Sequence, residues 1–251
     1  MTNTLYISRV LLEKPVEQTS YLNRLPVIQY LTDEKELSFS HPVTFFVGEN
    51  GTGKSTLLEA IAVAYGFNAE GGSRNFNFST NQTHSELWEH LLLAKQGFPK
   101  DGFFLRAESL YNVASNIDDL DAQPAAAAPI IDGYGGVSLH QQSHGESFLS
   151  IVQNRFFGGG LYILDEPEAA LSPMRLLTLL SEMNDLVNKN SQFIIATHSP
   201  ILMAFPQAEI WEFSGQGMKK APYKETEHYQ ITKQFLENPE KMLHYLLKEE
   251  E

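Results

Sequence analysis

A run of residues between a predicted strand and a predicted helix has the types and spacing of a phosphate-binding loop. Its glycines allow successive backbone N–H groups to turn inward and form an anion nest, and the following helix adds its positive dipole end. Lys54 is placed to reach the outer phosphates of a nucleotide, and the Ser55 hydroxyl to ligate Mg²⁺. The residues of this predicted nucleotide site are Gly48, Glu49, Asn50, Gly51, Thr52, Gly53, Lys54, Ser55 and Thr56.

Two adjacent carboxylates follow a second apolar run, at residues 161–167, which read LYILDEP. A buried strand here would deliver Asp165 and Glu166 at its carboxyl end, where ligands bind in an open α/β sheet. We expect Asp165 to hold Mg²⁺ through water, and Glu166 to orient and deprotonate an attacking water. In isolation such a pair is more often a helix cap or a turn. The phosphate loop upstream favours the catalytic interpretation.

Residues 143–146 read Ser-His-Gly-Glu and lie directly before a predicted helix. Ser143, Gly145 and the helix N-terminus offer a second anion site, made of a hydroxyl and backbone N–H groups. The same residues also fit a capping box, with Ser143 as N-cap and Glu146 at the third helical position. The local pattern favours neither interpretation.

His198 follows an apolar run in the segment 194–200, which reads IIATHSP. At the end of a buried strand this imidazole could contact a γ-phosphate or the attacking water. The alternative is a hydrogen-bonded loop histidine without a catalytic role. Considered alone, the segment favours that alternative.

Buried strands that alternate with helices must position these groups. The alternation predicts an α/β fold, with a mainly parallel central sheet, helices on both of its faces and an antiparallel β region at the N-terminus. Apolar runs predict strands at residues 5–12, 26–31, 37–39, 43–47, 102–107, 161–164, 192–196, 208–213 and 218–221. Apolar residues at helical spacing predict helices at 55–65, 85–95, 146–156 and 173–188.

The remaining stretches have a less regular pattern. A helix is expected to begin within residues 109–114. Residues 118–136 contain acids, prolines, glycines and an alanine run, which predict a mobile surface segment. Asn238 and Pro239 predict the start of a final helix that runs into an acidic tail.

The 251 residues carry a formal net charge of −13. An acidic chain gains nothing from the field around DNA or an anionic membrane, so nucleic-acid contact would need a local basic patch. Lys219, Lys220 and Lys224 form one such cluster, although a solvated turn explains it better. The absence of cysteine excludes disulfides and thiolate metal sites. The sequence shows no signal peptide and no apolar run of membrane-spanning length, so we expect a cytoplasmic protein.

The four motifs, in this order, resemble those of the ATP-binding cassette (ABC) class of P-loop ATPases over residues 43–213. Residues 48–55 are similar to Walker A, 161–166 to Walker B with its catalytic glutamate, 142–146 to the signature sequence and 168–172 to the D-loop, and His198 lies where the switch histidine belongs. The resemblance implies ATP and Mg²⁺ as ligands, with Glu166 and His198 as catalytic residues. It also implies a homodimer formed on ATP binding, in which Ser143 and Gly145 of one chain close over the ATP held by the other.

Several positions depart from the family pattern. His144 replaces a glycine of the signature, Glu146 replaces its glutamine, and Ser172 stands where the D-loop usually carries aspartate. Glu108 occupies roughly the place of the Q-loop glutamine, which makes it a further candidate metal ligand. The candidate aromatic residues for stacking on adenine are Tyr6 and Tyr21.

The resemblance implies a single ATPase domain over residues 1–251. Its expected regions are an N-terminal β region at 1–42, a Walker A lobe at 43–107, a short and partly mobile insert at 108–145, and a region at 146–251 that carries Walker B, the switch histidine and the C-terminal helices.

The segments DEPE at 165–168 and THSP at 197–200 resemble the soluble branch of the class, which includes SMC-like, RecF-like and overcoming-lysogenization-defect-like (OLD-like) ATPases. No long heptad segment and no nuclease domain is seen, which predicts a bare ATPase head. The resemblance implies ATP hydrolysis in a homodimer that acts as a switch in DNA maintenance or defence. The alternatives are the ATP-binding subunit of an ABC transporter, and a nucleotide-gated binding module with a separate effector or nucleic-acid partner.

Overall fold

The structure, a computed structural model, describes residues 5–73, 85–123 and 128–247 of the chain. In these ranges the strands are β1 (Ile7–Leu12), β2 (Glu36–Ser38), β3 (Val43–Gly48), β4 (Leu91–Lys95), β5 (Asp101–Arg106), β6 (Gly160–Asp165), β7 (Gln192–Ala196), β8 (Glu209–Ser214) and β9 (Gly217–Lys220). The helices are α1 (Pro26–Asp33), α2 (Lys54–Tyr65), α3 (Leu110–Asp121), α4 (His144–Arg155), α5 (Pro173–Asn188), α6 (Pro200–Met203), α7 (Glu227–Glu237) and α8 (Pro239–Leu246).

The larger sheet in the described ranges has six strands in the order β5-β6-β7-β3-β8-β9. The first five strands are parallel, and β9 pairs antiparallel with β8 to form a hairpin. The strands β3, β6 and β7 are buried along their whole length, as expected of a parallel sheet that helices cover on both faces. The predicted α/β fold with a mainly parallel central sheet is confirmed.

A separate antiparallel sheet has the strand order β2-β1-β4. It confirms the predicted N-terminal antiparallel region, but its third strand, β4, comes from well beyond residue 42. The fully buried side chain of Gln192, at the start of β7, ties the two sheets together. Its Oε1 accepts hydrogen bonds from the backbone N–H groups of Tyr6 (2.7 Å) and Ile7 (2.9 Å), and its Nε2 donates to the Ile7 carbonyl (2.8 Å).

Two apolar clusters lie on opposite faces of the larger sheet. The side chains of β3 alternate between them: Phe46 belongs to the cluster with α1, α2 and the smaller sheet, whereas Phe45 and Val47 belong to the cluster with α3, α4 and α5. Each fully buried large side chain contributes roughly 2 kcal/mol, so the two layers hold the strands firmly. Because β3, β6 and β7 are parallel neighbours, their carboxyl ends meet at one edge of the sheet.

The strand predicted at residues 26–31 is wrong, because these residues form α1. Pro26 occupies the first helical position, where its missing N–H group is not needed. Val27, Ile28 and Leu31 are buried at a spacing that places them on one helical face. A short apolar run fits a strand as well as a helix, and packing against β1 and β9 decides between them here.

The helix predicted at residues 85–95 is also wrong. Ser85 does cap a helical turn, since its hydroxyl accepts a hydrogen bond from the Leu87 N–H (3.2 Å). The turn ends at His90, and the chain continues as β4. Hydrogen bonds between β4 and β1 outweigh the helical pattern of this segment.

The segment at residues 118–136, predicted as mobile and irregular, contains regular structure. Helix α3 extends to Asp121, and the Tyr134 side chain is buried. The Tyr134 carbonyl accepts a hydrogen bond from the Ser150 hydroxyl on α4 (2.7 Å). Residues 124–127 of this prediction lie outside the described residues.

Beyond β9, the described part of the chain has one helix more than predicted. Helix α8 begins as expected, with the Asn238 side chain as its N-cap, but α7 before it carries no strong sequence signal. The predicted acidic tail after residue 247 lies outside the described residues. None of the helices in the described ranges has both the length and the apolar character needed to span a bilayer.

Candidate active site

The loop at residues 48–55 connects β3 to α2, as predicted, and two of its positions require glycine. At Gly48 (φ +139°) a Cβ atom would lie 2.1 Å from the carbonyl oxygen of Phe213. At Gly53 (φ +89°) it would lie 3.0 Å from Cδ2 of Leu25. The chain thus turns tightly from the sheet into the helix, whose first N–H groups have no partners within the helix.

Lys54, the first residue of α2, is only 4% exposed. Its Nζ donates hydrogen bonds to the carbonyl oxygens of Gly48 and Glu49, both at 2.8 Å. Burial lowers the pKa of this ammonium group, and the carboxylates of Glu166 and Asp165 oppose that shift. A positive charge is therefore held inside the loop, close to the acidic end of β6.

Ser55 and Asp165, two of the predicted metal ligands, lie next to each other. The Ser55 hydroxyl donates a 2.9 Å hydrogen bond to Asp165 Oδ1. Burial raises the pKa of Asp165 to about 6, against the opposing effects of Arg106 and of the hydrogen bond from Ser55. A hydroxyl and a carboxylate so placed are hard oxygen donors, and they fit Mg²⁺.

Arg106 is a cation of the site that the sequence interpretation missed. It ends β5 in register with Asp165, and its Nε lies 3.4 Å from Asp165 Oδ2. One of its Nη atoms donates to Glu59 Oε2 at 2.6 Å, and the other lies 3.8 Å from Glu108 Oε2. The Glu108 side chain is 83% exposed, so the role of Glu108 as a metal ligand stays a prediction. One signal in the sequence pointed to this residue: Arg106 lies near the end of the strand predicted at 102–107, in the same sheet as the strand that delivers Asp165.

Glu166 and His198, the two predicted catalytic residues, face each other. Oε1 of Glu166 lies 3.4 Å from Nε2 of His198. The Glu166 backbone is left-handed (φ 48°, ψ 53°), which costs a non-glycine residue roughly 1 kcal/mol. Burial lowers the pKa of His198 and the positive charge of Lys54 lowers it further, while Glu166 opposes the shift. The net effect favours the uncharged form of the imidazole.

Glu168 joins the loop after β6 to the loop after β7. Its Oε2 accepts a 2.8 Å hydrogen bond from the Thr197 hydroxyl, and its Oε1 accepts one from the backbone N–H of His198. The Thr197 Oγ1 in turn accepts a hydrogen bond from the Ser199 N–H (3.0 Å). These bonds fix the backbone on both sides of the histidine.

A second imidazole, that of His228, contacts His198. His228 lies in the first turn of α7, and its Nε2 is 3.0 Å from Nδ1 of His198. Burial lowers the pKa of His228, and the charge of Lys54 adds to that effect. No sequence motif marks His228, and only the position of α7 brings it to the site.

Ser143 and Gly145 lie at the start of α4, where the capping box is present. Ser143 Oγ accepts a hydrogen bond from the Glu146 N–H (3.4 Å), and Glu146 Oε2 accepts one from the Ser143 N–H (3.0 Å). Arg175 of α5 donates to Ser143 Oγ (3.2 Å) and to Glu146 Oε1 (3.0 Å). Within the described ranges no hydrogen bond or ion pair joins this group to residues 48–55. Binding of an anion here stays a prediction.

The other candidate residues differ in accessibility. Tyr6 is buried and its hydroxyl donates to the Asn190 carbonyl (3.0 Å), so it is not available to stack on adenine. Tyr21 is 60% exposed and remains a candidate. In the predicted basic cluster, Lys219 and Lys220 pair with glutamates, Nζ lying 3.7 Å from Glu212 and 2.7 Å from Glu209 respectively.

Comparison with protein families gives two matches. A model described as "AAA domain" matches residues 27–104, which include the phosphate loop. A model described as "AAA domain, putative AbiEii toxin, Type IV TA system" matches residues 137–204, which include Ser143, Asp165, Glu166 and His198. No curated protein matches the sequence significantly.

Two solved structures share the fold. One is described as "an inward-facing conformation of a putative metal-chelate type ABC transporter"; it is 12% identical, with a TM-score of 0.51, and the match covers 91% of this chain and 88% of that chain. The other is CbiO1 from Clostridium perfringens, part of the ABC transporter complex CbiONQ. It is 15% identical, with a TM-score of 0.50, and the match covers 96% of this chain and 99% of that chain.

Proposed function

We propose that this chain is an ABC-class P-loop ATPase that binds Mg²⁺ and ATP at residues 48–55 and hydrolyses the ATP; its fold, its ordered motifs and the two AAA-domain matches support this proposal. In this proposal ATP closes a homodimer and hydrolysis opens it. The cycle acts as a switch in DNA maintenance or defence in the cytoplasm, with a separate effector or nucleic-acid partner. The second family model, whose description names a toxin–antitoxin system, supports the defence role.

One observation carries the hydrolysis proposal. The Ser55–Asp165 pair (2.9 Å) and the Glu166–His198 pair (3.4 Å) lie at adjacent strand ends, close to the buried ammonium of Lys54. Phosphoryl transfer by P-loop ATPases uses a cation on the phosphates, metal ligands and a side chain that positions water. Groups suited to all three tasks surround one loop.

The proposed roles follow from the contacts. Lys54 exchanges the carbonyl oxygens that it now binds for phosphate oxygens, which form stronger, charge-assisted hydrogen bonds. Glu166 orients the attacking water toward the γ-phosphorus and takes its proton as the new O–P bond forms; the bond from the γ-phosphorus to the bridging oxygen breaks, and ADP leaves with that oxygen. His198 Nε2, which lacks a hydrogen-bond partner in the described part of the chain, donates to a γ-phosphate oxygen.

Ser55 Oγ and Asp165 would hold Mg²⁺, the aspartate through a water molecule. The ion, when bound, neutralises charge on the phosphate oxygens. Asp165 must be ionised for this role, and the guanidinium of Arg106 beside its Oδ2 favours the ionised form.

The second half of the site is proposed to come from a partner copy. The γ-phosphate of the partner's ATP would replace the Glu146 carboxylate at the N-terminus of α4, because the same N–H and hydroxyl donors suit either anion. Arg175, which now binds both Ser143 and Glu146, would then lie beside the phosphate. Displacement of Glu146 has an energetic cost, so we expect turnover to be slow.

The ATP-binding subunit of an ABC transporter is the alternative. It is favoured by the two similar structures, each described as a transporter or part of one. Against it, the described part of the insert at 108–145 contains one regular α-helix, α3, of 12 residues, where transporter cassettes usually carry a larger helical subdomain.

The test is steady-state ATPase activity of the purified chain, with and without duplex DNA, at two salt concentrations. Stimulation by DNA that fades at higher salt would support DNA maintenance or defence, because phosphate contacts weaken with salt. Light scattering with ATP should show the dimer. Hydrolysis that requires a membrane protein, with no response to DNA, would support the transporter alternative instead. A chain that does not bind ATP would refute the proposal.

A further inference from the structure

We infer that His228 is a positioning residue that fixes the proton of His198 on Nε2. The inference deepens the proposed function, since it concerns the histidine proposed to donate to the γ-phosphate. Its basis is the 3.0 Å separation between His228 Nε2 and His198 Nδ1. Two neutral imidazole nitrogens at this distance share one proton, so one ring donates and the other accepts.

The other side of His198 determines which ring donates. Its Nε2 points toward Glu166 Oε1, 3.4 Å away. An ionised carboxylate and a phosphate oxygen can only accept hydrogen bonds, so His198 is useful there only with a proton on Nε2. A neutral ring with Nε2–H has a bare Nδ1, which must then accept. His228 therefore donates from its own Nε2.

The surroundings favour the neutral form of both rings. Burial lowers the pKa of each imidazole and the nearby charge of Lys54 lowers both further, while Glu166 opposes the shift at His198 and Glu227 opposes it at His228. A doubly protonated pair at 3.0 Å would also place two positive charges in contact, which is unfavourable.

The position of His228 is fixed by the start of α7. Thr226, fully buried, caps this helix: its Oγ1 accepts a hydrogen bond from the Tyr229 N–H (3.4 Å) and donates to the Tyr223 carbonyl (2.9 Å). The Glu227 N–H donates to Glu212 Oε1 on β8 (2.9 Å). Because Glu168 holds the backbone N–H of His198, both rings extend from anchored backbone. Helix α7, which lies outside the motifs, thus contributes to the site.

Two substitutions separate hydrogen bonding from packing. In His228→Gln the side-chain amide N–H₂ can take the place of the imidazole Nε2–H, whereas His228→Leu fills similar space without a donor. We expect kcat to fall about tenfold in His228→Leu, by analogy with the lower end of the losses typical when the hydrogen-bond partner of a metal-ligating histidine is removed. In His228→Gln kcat should stay within about threefold of wild type. The KM for ATP should change little in either variant, because the P-loop contacts remain.

The decisive readout does not depend on hydrolysis. Long-range ¹H–¹⁵N spectra of the nucleotide-free full chain report which nitrogen of His198 carries the proton. Wild type and His228→Gln should show Nε2–H, and His228→Leu should show a mixture of the two tautomers. A wild-type spectrum with Nδ1–H on His198 would overturn the inference, even if His228→Leu does not fold. So would equal losses of kcat in folded Gln and Leu variants. If the wild-type chain does not hydrolyse ATP, the proposed function fails, and the spectra still test the tautomer.

Discussion

The Ser55 hydroxyl donates a 2.9 Å hydrogen bond to Asp165 Oδ1, which joins the end of the phosphate loop to the end of β6. These two residues are far apart in the sequence, and only the parallel sheet brings them together. The oxygen donors proposed for Mg²⁺ are therefore preorganised. The carboxylate that makes this possible is nearly buried, and its ionisation costs stability.

The pH dependence of folding should report that cost. The pKa of Asp165, about 6, lies above its ordinary value of 3.8. The stability that this raised pKa contributes is fully present below about pH 4 and is lost as the pH rises through 6. Because Asp165→Asn cannot ionise, its free energy of unfolding relative to wild type should rise by roughly 1–2 kcal/mol between pH 5 and pH 8. Urea unfolding at both pH values measures it.

The exposed Asp119 provides a matched control, since Asp119→Asn should show a difference that does not vary over this range. A pH-independent difference for Asp165→Asn would contradict the account of the buried carboxylate.

Removal of the loop lysine should abolish tight nucleotide binding. Lys54→Met removes a charge that would contact phosphate oxygens, a loss of roughly 3 kcal/mol, or on the order of 100-fold in the dissociation constant for ATP. Lys100→Met, at an exposed lysine, should bind ATP as wild type does. Fluorescence titration with an ATP analogue distinguishes the two. Equal affinity of Lys54→Met and wild type would show that nucleotide does not occupy this loop.

Two glycines of the loop should differ in their tolerance of a methyl group. In Gly48→Ala the added Cβ lies 2.1 Å from the backbone oxygen of Phe213, whereas Gly51 has open space around it. Both positions have positive φ, so Gly51→Ala should lose about 1 kcal/mol of unfolding free energy. The clash should raise the loss in Gly48→Ala to about 3 kcal/mol or more. Thermal or urea unfolding of both variants tests this, and similar losses would contradict the close approach of β3 and β8 at this point.

The partly buried Arg106 should matter more than an exposed arginine. Arg106→Met leaves the carboxylates of Glu59 and Asp165 without their guanidinium, and we expect a loss of about 3 kcal/mol of unfolding free energy. Arg9→Met breaks the exposed ion pair with Glu36 (3.1 Å) and should cost less than about 1 kcal/mol. Chemical denaturation of both variants makes the comparison. Equal losses of unfolding free energy in Arg106→Met and Arg9→Met would mean that Arg106 does not hold the carboxylates of the site in place.

The sequence was sufficient to locate the strands that carry the chemistry. Strands β3, β6 and β7 appear as short apolar runs, each followed by a polar or glycine-rich segment, and they are buried on both faces. Because these strands are parallel, their carboxyl ends share one edge of the sheet. This places Glu166 Oε1 3.4 Å from His198 Nε2.

Where tertiary contacts decide between two local structures, the sequence was not sufficient. The runs at residues 26–31 and 85–95 fit either a helix or a strand by pattern, and both predictions were wrong. The antiparallel pairing of β4 with β1 makes the second run a strand. This pairing joins residues 91–95 to residues 7–12, which are distant in the sequence, so no local pattern reveals it.

The supporting residues of the site were the hardest to predict. Arg106 acts through a register with Asp165 that no local pattern reveals. His228 reaches His198 across 30 residues of sequence because α7 returns to the edge of the sheet. Each is an ordinary residue in its local context and gains its role from packing.

The central claim is that the protein hydrolyses ATP with Glu166 as the general base. The most direct test compares Glu166→Gln with wild type, with both proteins prepared and assayed in the same way. Equilibrium titration gives the affinity for ATP, and a single-turnover assay gives the rate of the chemical step. The account predicts affinity within about twofold of wild type and a rate at least about 100-fold lower, because removal of a general base costs that much. Hydrolysis by Glu166→Gln at the wild-type rate, with ATP bound, would contradict it.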